Sequence, residues 1–173
     1  LAHANGIAPE CIGTALSQFA GLSRRLERLG TYGDIAIIDD YAHHPTEITA
    51  ALQTIRQMHP GRRLWCVYQP HQALRLTRLL AETADSLQAA DAVVVADVFR
   101  AREGAPIPGE ADAAQLAVEL QRRGVAAFAP GDAPAIVSSL ATQLKPGDVL
   151  ATLGAGDLRA VAEAAGEAIA RPG

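Results

Sequence analysis

The chain has 173 residues, a net charge of −4, 49% hydrophobic and 20% charged residues, and only 4% aromatics. That is length for one well-buried domain, or for a domain carrying a piece of another. The acidic balance lacks the basic face of a sequence-independent nucleic-acid binder, and so few aromatics do not make a base-stacking platform.

The basic residues are nearly all arginine, with Lys145 the sole lysine. Arginine suits bidentate recognition of carboxylate and phosphate, and a GC-rich genome produces the same bias. Cys11 and Cys66 lie far apart without a CxxC partner, which reads as two reduced thiols in a cytoplasmic protein. No apolar run reaches the roughly 18 residues of a membrane span, and no signal-peptide pattern is present, so no membrane partner is expected. The chain starts with Leu rather than Met, so an upstream part is expected.

In chain order, residues 1–22 contain "PECIGTALSQF", a short helix with no strand to accompany it. It is either an extra packing helix or the tail of a preceding domain. "RRLERLGTYGDIAIID" then alternates polar and apolar residues through Gly30 and Gly33, which predicts a hairpin that adds an antiparallel strand to a sheet edge. Strands are predicted at 35–39, 63–68, 92–97, 125–129 and 148–154, and helices at 45–58, 71–89, 111–123, 133–144 and 156–170. Pro45 suits the first helical position and Glu47 the positive end of the helix dipole, while Gly61 and Gly124 sit where helices should stop. The alternation means an α/β fold with a mostly parallel sheet covered on both faces.

A parallel sheet opens the carboxyl ends of its strands on one edge, where ligands bind. Asp39 to His44, Gln69 to His71, Asp97 to Glu103 and Gly154 to Asp157 should meet there. The densest stretch is "DDYAHHPTEI", residues 39–48. His43, His44 and His71 with Asp40 could form a zinc site, although adjacent histidines diverge and His44 could simply open the helix. Arg75 and Arg78 lie near the start of one helix, where an anion would gain from the dipole, or on a solvated face. "GAGD" after the last strand resembles a glycine turn that lets backbone approach a phosphate, but it lacks the full G-x-G-x-x-G pattern. No Walker loop is present, because Lys145 is followed by Pro146, and there is no G-x-S-x-G elbow.

The motifs "FAGLSRRLE", "DDYAHHPTE", "QPH", "DVFRAREGAPIPG" and "GAGD", in that order over nearly the whole chain, resemble the C-terminal domain of the Mur ligase family. The resemblance implies a Rossmann-like three-layer sandwich over 21–173, with 1–20 as the remnant of the last helix and linker of a central ATPase domain. It implies an ATP-dependent carboxylate–amine ligase of peptidoglycan synthesis, inactive as this domain alone. ATP and Mg2+ would be held mainly by the central domain, with UDP-N-acetylmuramate and L-alanine as substrates and the N-terminal and central domains as partners. By the same resemblance Arg25 and Asp40 contact the nucleotide, and Tyr41, His43, His71 and Arg75 hold the amino acid. Arg25, Asp40 and His43 are the implied catalytic residues, and no resident metal is implied.

Gln72 departs from the family's common arginine directly after Q-P-H, and "LRLTR" from its S-R-T, which leaves open whether Arg75 or Arg78 faces the substrate. The competing readings are a ligase that reattaches a recycled tripeptide, a free-standing nucleotide or amino-acid binding module, and a zinc-binding or structural domain. Tyr41 and Glu47 favour the alanine ligase over the recycling one.

Overall fold

The computed structural model describes residues 1–19 and 21–170. Six strands form one sheet in the order β1-β2-β6-β3-β4-β5. They are β1 (Glu27–Tyr32), β2 (Ile35–Asp40), β3 (Leu64–Tyr68), β4 (Ala92–Ala96), β5 (Ala126–Gly131) and β6 (Val149–Leu153). β1 is the antiparallel edge strand; every other pairing is parallel. β2, β3, β4 and β6 are buried at every residue, which is why their sequences read as unbroken apolar runs instead of alternating.

Helices α2 (Pro45–Met58), α3 (Ala73–Arg78), α4 (Leu80–Leu87) and α5 (Ala113–Arg122) cover one face. Helices α6 (Ala133–Gln143) and α7 (Leu158–Ala170) cover the other. The three-layer α/β sandwich expected from the sequence is the fold found. α2 shows the logic: Ile48, Ala51, Leu52 and Ile55 recur at helical spacing and all four are buried. Each of the three larger side chains contributes about 1.5–3 kcal/mol by leaving water.

The hairpin turn is Gly33–Asp34, with φ of 53° and 63°. Two successive positive φ values match the right-handed twist of the strands it joins. At Gly30, where the register shifts, a Cβ would come within 2.9 Å of the Tyr32 ring.

Two expectations are corrected. The predicted helix 71–89 is two helices, because Gln72 (φ 67°) is outside helical geometry and Leu79 (φ −118°, ψ 24°) interrupts the run. His71 and Gln72 are drawn instead into pairing with Phe99: the Gln72 amide donates to the Phe99 carbonyl (2.9 Å), and the Phe99 amide to the Pro70 carbonyl (2.8 Å). The start of the chain forms a 3-10 turn (His3–Asn5) and helix α1 (Pro9–Ser17), and α1 buries none of its residues. It is therefore not a packing helix of the sandwich. Ala20 and residues 171–173, within the expected 1–20 and 21–173 segments, lie outside the described residues.

Candidate functional site

The loops after β2, β3, β4 and β6 meet at the carboxyl edge of the sheet, as their positions in sequence require. The Gln69 amide donates to the Leu153 carbonyl (3.0 Å) and its side chain to the Asp97 carbonyl (3.2 Å), which ties three of the loops together.

The two acids that end β2 are structural in this arrangement. Asp39 is fully buried, accepting from the Thr152 hydroxyl at 2.6 Å and facing the Arg24 Nε at 3.4 Å. Asp40 accepts from the Leu26 amide (2.8 Å) through one oxygen and from the Ala42 amide (2.7 Å) through the other. Asp40 thus fastens the segment before β1 to the loop after β2, and the same contacts hold its carboxylate in place at the edge.

The residues expected to hold an amino acid come together. The Tyr41 ring is exposed and meets His43 edge-on at 5.6 Å; His43 meets His71 at 5.4 Å; Arg75 lies 3.4 Å from His71 Nδ1. Tyr41 also lies beneath two guanidinium groups, Arg24 at 4.8 Å and Arg25 at 5.8 Å. His43 Nδ1 is 3.1 Å from the Tyr41 carbonyl, an acceptor only, and 3.5 Å from Glu47. Both neighbours favour a proton on Nδ1, which in the neutral ring leaves the Nε2 lone pair available. Burial, then the charge of Arg75, holds His71 below the ordinary histidine range.

Two further carboxylates at this edge are also committed. Glu47 accepts from the His43 and His44 amides at 3.1 and 3.2 Å and closes a capping box on α2; the His43 amide is the main cause of its depressed pKa. Glu103 accepts from the Ala73 and Leu74 amides at 2.7 and 3.1 Å. Glu103 therefore occupies the start of the Arg75 helix. The arginines, by contrast, are not neutralised. Among the described residues no carboxylate lies within ion-pair distance of Arg25, Arg75 or Arg78. Arg75 and Arg78 both border an open cavity of about 770 Å³, with His43, Glu47, Gln72 and Glu103 on its other walls.

The glycine turn serves the protein itself. A Cβ at Gly154 would stand 3.0 Å from the Gln69 carbonyl, and one at Gly156 would overlap the Gln69 side-chain amide. These glycines admit Gln69, a close approach that the sequence pattern suggested for a phosphate. Among the described residues no three His, Cys, Asp or Glu side chains gather as a metal cage. The residue missed by the sequence reading is Arg24, whose side chain turns into the edge while that of its neighbour Arg25 stays exposed.

Fold and site together define an α/β domain whose carboxyl edge carries arginines with no carboxylate in ion-pair distance among the described residues. Comparison with known proteins makes the assignment specific. Residues 24–156 match the family described as "Mur ligase, glutamate ligase domain". The chain is 41% identical over 153 residues to the UDP-N-acetylmuramate–L-alanine ligase of Caldicellulosiruptor bescii (88% of this chain, 33% of the relative). It is 43% identical over 159 residues to the same-named protein of Methylocella silvestris (91% and 33%). The structure of UDP-N-acetylmuramate-alanine ligase from Thermotoga maritima superposes with a TM-score of 0.79 at 25% identity, over 96% of this chain and 34% of that one. The chain belongs to the Mur ligase family, and it spans about a third of the length of these relatives.

Proposed function

We propose that the chain is the C-terminal domain of an ATP-dependent ligase that joins L-alanine to UDP-N-acetylmuramate through an acyl phosphate, and that it does not turn over alone. The observation that carries this reading is the set of unneutralised arginines flanking Tyr41 and His43. Arg25 suits a nucleotide phosphate and Arg75 the amino-acid carboxylate, each by charge-assisted hydrogen bonds. Asp40 holds the segment carrying Arg25 against the loop carrying Tyr41, and its place at the edge suits a contact to the nucleotide's ribose or water shell. With Arg75 fixing the carboxylate, Tyr41 and His71 bound the amino acid. His43 Nε2 then accepts a proton from the ammonium, which frees the amine lone pair for attack on the activated carbonyl.

Asp39, Asp40, Glu47 and Glu103 all accept hydrogen bonds from the protein already. That suits a domain that supplies cations while the central domain holds ATP and Mg2+. The lack of buried residues in α1 supports assigning 1–20 to the end of that central domain and 21–173 to this one. Among the described residues no helix is long and apolar enough to cross a membrane.

The size of the cavity beyond Arg75, about 770 Å³, favours one second reading, a recycling ligase that takes a tripeptide. Phosphate release by the full-length gene product with ATP, Mg2+ and UDP-N-acetylmuramate tests both. Release that depends on L-alanine is expected. Release only with the tripeptide moves the protein to recycling, and no release with any amine overturns the ligase reading.

A further inference from the structure

Arg24 concentrates more of the edge's contacts than any residue proposed to touch a ligand. One of its terminal nitrogens donates to the Gly154 carbonyl (2.6 Å) and to the Gly156 carbonyl (2.7 Å). Its Nε stands 3.4 Å from the buried Asp39 carboxylate, and its guanidinium plane covers the Tyr41 ring at 4.8 Å. The backbone joins in: the Arg24 amide donates to Glu27 (2.8 Å), and the Arg24 carbonyl accepts from the Tyr41 amide (2.9 Å). Arg24 achieves this at φ 57°, a left-handed conformation unfavourable for a non-glycine residue. It is therefore held by what it contacts.

We propose that Arg24 is a positioning residue: its guanidinium clamps the Tyr41 ring to the Gly154–Asp157 turn and so sets the surface on which the amine substrate is held. The part of this inference that concerns the amine rests on the ligase reading above; the clamp itself does not. Arg24 differs in this from Arg25, which is exposed and shares with it only the Tyr41 ring. A guanidinium whose terminal nitrogen donates to two carbonyls and whose Nε faces a buried carboxylate is fixed in place by the protein itself. One that caps an aromatic ring fixes that ring by cation–π attraction. Adjacent arginines thus divide the work, Arg24 organising the edge and Arg25 meeting the ligand.

The test uses the full-length gene product with Arg24→Met, Arg24→Lys, Tyr41→Phe and Tyr41→Leu, read by hydrogen exchange and by steady-state kinetics. Arg24→Met should speed amide exchange in peptides covering 39–44 and 153–158 by about tenfold, because local opening loses its tether. It should raise the KM for the amine about tenfold and leave the KM for ATP within about twofold. Arg24→Lys, which can still reach one carbonyl, should fall between, so a fold-wide collapse of the Met variant would not hide the result. The effect on the amine KM should persist in the Tyr41→Phe background, where the ring remains, and shrink to less than about twofold in Tyr41→Leu. Unchanged exchange in both peptides overturns the clamp. A raised KM for ATP with an unchanged KM for the amine makes Arg24 a nucleotide contact and overturns the inference. Faster exchange in a protein whose wild type releases no phosphate with any amine leaves the clamp standing and removes the ligase reading.

Discussion

The two edges of the sheet are built from the same residue types and treat charge in opposite ways. At the amino edge, where β2, β3, β4 and β6 begin, three arginines are held by carboxylates or carbonyls. Arg63 donates twice to Asp148 (3.0 and 2.5 Å), Arg56 pairs with Asp91 (2.8 Å), and Arg62 reaches Asp34 and the Gly147 and Asp148 carbonyls. The acids also anchor the chain, since Asp91 accepts from the Leu64 amide (2.7 Å) and Asp148 from the Lys145 amide (2.9 Å). At the carboxyl edge Asp40, Glu47 and Glu103 are again committed to backbone amides, but among the described residues Arg25, Arg75 and Arg78 have no acid within ion-pair distance. Charge that stabilises a fold is neutralised within the fold; charge left open is available to a ligand.

Variants at the two edges should therefore separate binding from stability. The largest effect is expected from Arg75→Ala in the full-length enzyme. Losing one charge-assisted contact to a carboxylate, about 2–3 kcal/mol, should raise the alanine requirement by roughly 30–150-fold. The melting temperature should barely move, because no acid is abandoned. An unchanged alanine dependence would remove Arg75 from the amino-acid site.

Next comes Asp148→Ala at the amino edge. It strands the Arg63 side chain and the Lys145 amide, at a cost of about 2 kcal/mol. For a domain of this size that lowers the melting temperature by about 4–8 °C. Both substrate KM values should stay as in the wild type, and a shift in either would show that the edges are not independent.

The smallest effect concerns pH. His59, at the amino edge, is held below its ordinary value of 6.5 by burial and then by Arg62 and Arg28, and His71, at the carboxyl edge, is depressed chiefly by burial. A group whose folded pKa is depressed binds more protons in the unfolded state. Its contribution is complete above the unfolded value and is lost as pH falls through the folded one. Melting temperature should thus decline as pH drops below about 6.5. His59→Asn should flatten that decline by removing one of the two depressed groups, an effect of about 1 kcal/mol or less. A decline of undiminished slope in the variant would assign the loss elsewhere.

Much of this molecule is determined by the sequence by itself. Buried parallel strands need continuous apolar runs and their covering helices need a 3.6-residue stripe, so element order, the antiparallel hairpin and the convergence of four loops on one edge can all be read without coordinates. The family can be read as well, because "DDYAHHPTE" and its companion motifs keep their order along the chain.

The direction and commitment of individual side chains depend instead on long-range packing. Arg24 and Arg25 are indistinguishable as letters, and a left-handed residue at 24 followed by another at Leu26 sends one inward and leaves the other exposed. The helix from 71 to 89 contains no proline or glycine to mark its break; pairing with Phe99, distant in sequence, sets its start. Nothing in the sequence marks Asp40, Glu47 and Glu103 as acceptors for the particular backbone amides they hold. Local pattern specifies which element forms, whereas which polar groups remain unpaired depends on neighbours brought close by the fold.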